Sequence, residues 1–275
     1  HEGSQRAAGA TLLTAGTRLG DRALLAVAAG GHPRVSVHPE PRVVVVTVGD
    51  ELVDTTRALT AGLVHDAVSV LLVAAGEQAG AATFRGGPSR RDPHVLGNTI
   101  QDQLVRADLV IVVGEDDRTS DPQAGLVATA LRDAGCTDLE YCRVDPGPVI
   151  GLGTVGEDGI GVITVGRTAL AAFVGFEIVA RPTIAALAGR ESLFRPVVRA
   201  RLTETVDGGS GARRFVPGLV KLDANGQRAL VTPLHEPPEQ AELWLHRANA
   251  LIIVPEDATS LGQDAEVAVI RLDRE

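Results

Sequence analysis

Methionine is absent from this chain of 275 residues, and aromatic side chains make up 3% of it, with one Trp and one Tyr. A chain that starts at His1 without a methionine is expected to be a segment of a longer protein. Cysteine is nearly missing too. Cys136 and Cys142 are too few and too poorly spaced for a disulfide framework or a metal site, and they fit a reducing cytoplasm. No apolar run reaches the roughly 18 residues of a membrane span, and no signal-peptide pattern opens the chain, so no membrane span is expected. Net charge is −9, which argues against a nucleic-acid partner. It leaves room for an anionic ligand, because a few oriented N–H groups can hold one inside an acidic protein. The histidines do not cluster, which argues against zinc, and Ser4, Ser69 and Ser89 lack the Gly-x-Ser-x-Gly elbow of a nucleophile.

Valine, alanine and leucine supply the apolar content. The stretch PRVVVVTVGDELVD, residues 41–54, organises the rest: Val43 to Thr47 are all β-branched, the mark of a strand buried on both faces. Helices are predicted over 22–29 (N-capped by Asp21), 66–79, 94–106, 123–134 and 168–188, with Pro182 kinking the last. Strands are expected over 35–37, 81–85, 107–113, 139–144 and 161–165, and residues 86–93 as a loop in which Arg85, Arg90 and Arg91 are solvated. Repeated β-α alternation argues an α/β fold, a three-layer α/β/α sandwich with a mostly parallel sheet over 41–192. Residues 1–40 form a connector. Short alternating segments over 193–275 read as a small all-β C-terminal domain, with residues 241–247 as its helical insertion and Trp244 as a core or interface anchor.

Three strand ends carry the polar information: Gly49-Asp50-Glu51, Gly114-Glu115-Asp116-Asp117 with Asp121, and Asp145-Pro146-Gly147. In open parallel sheets ligands bind at the carboxyl edge. Carboxylates converging there are the hard oxygen ligands that magnesium prefers, and magnesium usually bridges to phosphate. Adjacent glycines let backbone N–H groups approach an anion. The same residues also read as ordinary polar turns, which every α/β protein has.

The ordered motifs resemble the MoeA family of molybdenum-insertion proteins, which includes the E domain of gephyrin. PRVVVVTVGDELVD is similar to the P-R-V…T-G-D-E-L start of that family's third subdomain. Asp66-Ala67-Val68-Ser69 resembles its D-x-N-S helix start, with Val68 in the Asn position. PGPVIGLG, residues 146–153, is similar to its P-G-K-P-x-x-F-G loop. FEIVARPTIAALAG and IIVPEDATSLGQDAEVAVI resemble the helix after its L-P-G-N-P-x-S loop and its closing β segment. The Ala, Val, Arg and Gly bias fits a divergent actinobacterial copy, with residues 1–40 a remnant of the N-terminal linker domain.

The resemblance implies a homodimer that inserts molybdate into adenylylated molybdopterin with Mg2+. It implies Glu51 and Asp50 as catalytic residues and Asp50 and Asp121 as metal ligands. Substrate binding would fall to Gly49, Asp66, Ser69, Gly114, Pro146, Gly147 and Gly166. Departures are several. In the T-G-G-x-S-x-G-x-x-D loop Val113, Asp116 and Arg118 replace Gly, Ser and Gly. Pro148 replaces the Lys of P-G-K-P, and TVGRTAL keeps only Gly166 of L-P-G-N-P-x-S. Two functions are therefore expected: a working molybdopterin molybdotransferase, or a catalytically degenerate, gephyrin-like scaffold. The scaffold would bind a protein or peptide partner in the cleft between the two domains, near Arg213, Arg214 and Phe215.

Overall fold

The structure is a computed structural model that describes residues 7, 9–115, 121–147, 149–209 and 211–273. Helix α1 (Asp21–Ala29) precedes the first strand and is capped by Gly20, with Asp21 as its first residue. Residues 32–41 have no regular structure, and Val35 and Val37 are exposed. The strand expected at 35–37 does not form because no neighbouring strand is there to satisfy its backbone.

The first large sheet begins with β1 (Arg42–Val48). It continues through α2 (Ala67–Gln78), β2 (Ala82–Ser89), α3 (Pro93–Leu104), β3 (Leu109–Glu115), α4 (Leu126–Asp133), β4 (Glu140–Cys142), β5 (Ile150–Val155) and β6 (Ile160–Gly166). Its strand order is β2-β1-β3-β6-β5-β4. The first four strands run parallel, β5 runs antiparallel to β6, and β4 runs antiparallel to β5. Alternate valines of β1 explain the unbroken β-branched run. Val43 and Val45 pack with Leu72 of α2 and Ile111 and Val113 of β3 on one face. Val44, Val46 and Val48 pack with Leu96 and Ile100 of α3 and Leu131 of α4 on the other. All of these strand valines are essentially inaccessible, each contributing roughly 1.5–3 kcal/mol relative to an exposed one.

Two features differ from the sequence expectation. Strand β2 runs on to Ser89 instead of ending at Arg85, because its last residues pair with the end of β1 (Thr47 with Pro88, Val48 with Ser89) across a bulge after Val45. Strand β5 has no apolar alternation, since its glycines meet neighbours instead of presenting side chains. A Cβ on Gly151 would lie 2.5 Å from Thr164 Oγ1 and one on Gly153 3.0 Å from Cys136 Sγ.

Helix α5 (Ala169–Leu187) covers the β1/β6 face. Within it Phe176–Ala180 forms a π turn directly before Pro182. Proline lacks an N–H and crowds the carbonyl one turn back, and the wider turn gives it room, so helical structure continues through Pro182. At 19 residues and a mean hydropathy of 1.6 this helix is long and apolar enough to cross a membrane, which the run lengths did not anticipate. It is 67% buried within the protein. Its Glu177 accepts from Arg181 Nε at 2.9 Å and Arg195 Nε at 2.6 Å, so it is a core helix with its charges paired.

The C-terminal strands are β7 (Val197–Leu202), β8 (Arg213–Leu222), β9 (Ala229–Pro233), β10 (Ala250–Val254) and β11 (Glu266–Arg271). They follow the order β9-β7-β11-β10-β8, and pairing of β8 with β9 closes the ring. Leu202, Val216, Val231, Ile252, Val254, Val267 and Val269 fill its interior. Trp244, in the short helix Ala241–Trp244, is buried and donates its indole N–H to Pro237 O at 2.9 Å. The two-residue strand Val144–Asp145 pairs with Arg213 and Arg214 of β8, so the first region contributes a strand to the second sheet.

Candidate functional site

Strands β1, β3 and β6 are neighbours and parallel, so their carboxyl ends form one rim. Gly49-Asp50-Glu51 follows β1 directly, Gly114 lies at the end of β3, and Gly166-Arg167 ends β6. The rim is bridged: Arg167 Nη2 donates to Glu51 Oε1 across 116 positions of sequence, passing in front of the β3 end. Arg167 was not among the residues singled out from the sequence. A cation directly after a strand-ending glycine, followed by the helix cap Thr168, was the signal available.

The glycines do different things. Gly49 is buried beneath its neighbour, and a Cβ there would meet Glu51 Oε2 at 2.9 Å and Leu52 Cγ at 2.8 Å. Gly114 sits at an irregularity where register shifts between Val113 and Glu115, and a Cβ there would fall 2.8 Å from Val48 Cγ2. It permits close packing of β3 on β1. Gly147 has φ +122 and abuts Ala171 in the first turn of α5, where its Cβ would lie at 3.1 Å. Gly166 is buried and pairs with Glu115.

Beneath the rim lies a polar shelf. Asp66 is 1% exposed and caps α2 by accepting from Ser69 N at 3.1 Å. Thr47 Oγ1 donates to Asp66 Oδ2 at 2.8 Å, and the Ser69 hydroxyl donates to Asp66 O at 3.2 Å. Arg85 donates from Nε to Ser69 Oγ at 2.8 Å and lies 2.7 Å from Asp54 Oδ2. It is a member of this network and not part of a solvated turn. The Thr56 hydroxyl and amide, joined by Arg85, hold the Asp54 carboxyl below its ordinary value. Asp66 and Ser69 are thus occupied in holding the helix start, a role that the D-x-x-S spacing alone could not separate from ligand binding.

Asp50 and Asp121 are exposed, and each uses one oxygen on a backbone amide. Asp50 Oδ1 accepts from Arg91 N at 3.3 Å, and Asp121 Oδ1 accepts from Gln123 N at 3.0 Å, capping the turn Pro122–Ala124. Among the described residues no three His, Cys, Asp or Glu gather into a metal-holding group. Asp116, Asp117, Arg118 and Pro148, and Ser4 at the start of the chain, lie outside the described residues.

Where the two sheets meet, a cleft of about 300 Å³ is lined by Asp145, Pro146, Leu170, Arg214, Phe215 and Trp244, among others. Arg214 Nε stands 3.6 Å from Asp145 Oδ2, and Arg213 pairs with Glu256 at 3.2 Å. Of the three residues expected near this cleft, Arg214 and Phe215 line it, the latter 7% exposed and packed into the core, whereas Arg213 is not among its lining residues.

No protein-family model matches the chain. It is 32% identical over 267 residues to a molybdopterin molybdenumtransferase 1 of Mycobacterium tuberculosis, covering 95% of this chain and 62% of that protein. It is 29% identical over 273 residues to a molybdopterin molybdenumtransferase 2 of the same species, covering 97% of this chain and 65% of that one. The chain therefore spans just under two thirds of the length of these relatives. A molybdopterin biosynthesis MoeA protein of Pyrococcus horikoshii shares the fold, with a TM-score of 0.80, 24% identity and coverage of 96% of this chain and 62% of that one. Over the part of those relatives that it spans, the chain is similar to the molybdopterin molybdenumtransferases and shares the fold of the MoeA protein.

Proposed function

We propose that the chain is the pterin-handling part of a molybdopterin molybdotransferase, which inserts molybdate into adenylylated molybdopterin. One observation carries this: Gly49–Glu51, Gly114 and Gly166–Arg167 meet at the carboxyl rim of three adjacent parallel strands, tied by the Glu51–Arg167 bridge. Residues 41–192, with helices on both faces of their sheet, would hold the pterin. Residues 193–275, the closed β module, would wall one side of the cleft, and residues 1–40 would lead in from a preceding domain. The shared strand Val144–Asp145 keeps the two parts in register.

In this assignment Glu51 and Asp50 face the reacting molybdate. Gly49, Pro146, Gly147 and Gly166 line the phosphate, while Asp66, Ser69 and Gly114 hold the rim in shape from beneath. Magnesium bound through substrate phosphate needs only one or two protein carboxylates, the rest of its shell being water. Asp50 and Asp121 fit that sparse requirement, since each keeps one oxygen without a partner among the described residues. The ion would neutralise phosphate charge at an acidic rim. We assign the protein to the cytoplasm, on its two free cysteines, and to a homodimer, on the resemblance.

Calorimetry with adenylylated molybdopterin and magnesium tests the assignment. Micromolar binding that disappears in Asp50→Ala supports it, and no binding by the unaltered chain sinks it. The scaffold alternative has its own observation: an apolar groove of about 550 Å³ where α2, α5 and the Ala241–Trp244 helix meet, lined by Val70, Leu71, Phe173 and Leu245 among others. A peptide partner whose binding survives Glu51→Ala and is lost in Phe173→Asp would favour it.

A further inference from the structure

Arg85, beneath the rim, and Arg167, on it, are held very differently. Arg85 is fixed by Ser69 at 2.8 Å and Asp54 at 2.7 Å, with Asp66 at 3.7 Å from its Nη2. Its charge is paired with the Asp54 carboxylate, although its buried Nη2 has no hydrogen-bond partner among the described residues. Arg167 engages a single partner, Glu51, through Nη2, and its Nε and Nη1 have no hydrogen-bond partner among the described residues. The pair is open to water, with the Arg167 and Glu51 side chains 37% and 32% exposed, and ion pairs of that exposure are weak and easily exchanged. Arg167 also stands at the start of α5, whose N-terminal amides reinforce its attraction for negative charge.

We propose that Arg167 is the anion-recognition residue of this rim and that Glu51 is its resting stand-in. A tetrahedral dianion, phosphate or molybdate, takes over the guanidinium fork and sets Glu51 free. The planar fork suits two-point binding of an oxyanion, which a carboxylate held by one Nη2 contact does not exploit. A dianion also attracts the guanidinium more strongly than a single carboxylate does. The local balance suits such a cation: Asp50 and Glu51 lie at the rim with Asp54 and Asp66 beneath it, Arg91 follows on the segment whose amide meets Asp50, and Arg85 is already paired with Asp54. The exchange ties release of Glu51 to arrival of the anion, so the carboxylate becomes available only when the site is loaded. The inference rests on the rim being a substrate site as proposed above, but its test needs no pterin and no turnover.

The full chain is titrated calorimetrically with sodium phosphate and, separately, sodium molybdate. Arg167→Ala should weaken binding of the recognised anion at least tenfold, and Arg167→Lys should recover part of it. The anion whose affinity falls identifies the source. Glu51→Gln should tighten binding severalfold when Arg167 is present and change nothing when it is replaced by Ala, because Glu51 competes for that guanidinium alone. Equal tightening in both backgrounds would mean that Glu51 merely repels anions, and would overturn the inference. So would unchanged binding in Arg167→Ala, or no binding of either anion by the unaltered chain. Coupling of Glu51 with Arg167 in a chain that never binds adenylylated molybdopterin would leave this inference standing and remove the transferase assignment.

Discussion

The two ends of the parallel sheet carry the same kind of ion pair in opposite conditions. At the amino end, Arg42 of β1 and Asp108 before β3 hold each other through three bonds to one carboxylate: the Arg42 amide at 2.8 Å, Nε at 3.2 Å and Nη2 at 2.8 Å. The Asp108 amide returns a bond to Arg42 O at 2.8 Å. At the carboxyl rim, Glu51 and Arg167 share one contact and reach across an intervening strand. A guanidinium held at two points by a carboxylate that also accepts from the adjacent backbone ties two strands of a sheet together. One with donors to spare is available for a ligand.

That contrast predicts a ranking of effects on stability. The rim itself is held by packing, so Gly114→Val, whose Cβ would strike Val48, should cost about 3 kcal/mol in denaturant unfolding. A variant of wild-type stability would show that the β3 end can move away from β1 freely. Asp66→Ala removes the α2 cap and the Thr47 and Arg85 contacts, and should cost about 2 kcal/mol by the same measurement.

At the amino end, Asp108→Asn should cost about 1 kcal/mol, modest because the pair is part-exposed. Arg42 hydrogen bonds hold the Asp108 carboxyl below its usual 3.8. A depressed acid contributes stability above its unfolded-state value and loses it as pH falls through the folded-state value. The gap between wild type and Asp108→Asn should therefore be full at neutral pH and close in acid. A gap independent of pH would assign the loss to shape and not to charge. The smallest effect is expected at Arg167→Ala, within about 0.5 kcal/mol, since exposed pairs contribute little. A loss like that of Asp66→Ala would make the Glu51–Arg167 bridge structural and erase the difference between the two ends.

Strand β1 and the helix start at Asp66 were legible because local chemistry settles them: β-branched residues at every position, and an acid three residues before a buried serine. The C-terminal strands were legible from alternation, and Trp244 from its solitude. Strand β5 was not, because its glycines carry no pattern and its place is dictated by pairing with β6. The end of β2 was missed for the same reason, since Pro88 and Ser89 pair with β1 without any propensity for strand. Of the site, the acids at 50 and 51 could be read as lying at a strand end, whereas Asp66 and Ser69 turned out to be buried supports.

Sequence alone determined which segments are strands buried on both faces, which helices cover them, and that polar turns follow Val48 and Val113. Those are consequences of side-chain branching, periodicity and capping within a few residues. Only the tertiary structure decided that β6 lies beside β3 and so brings Arg167 to Glu51, because sheet order depends on how distant strands pair and cover one another. It likewise decided which arginine is engaged and which has donors to spare, since that follows from neighbours 16 to 116 positions away.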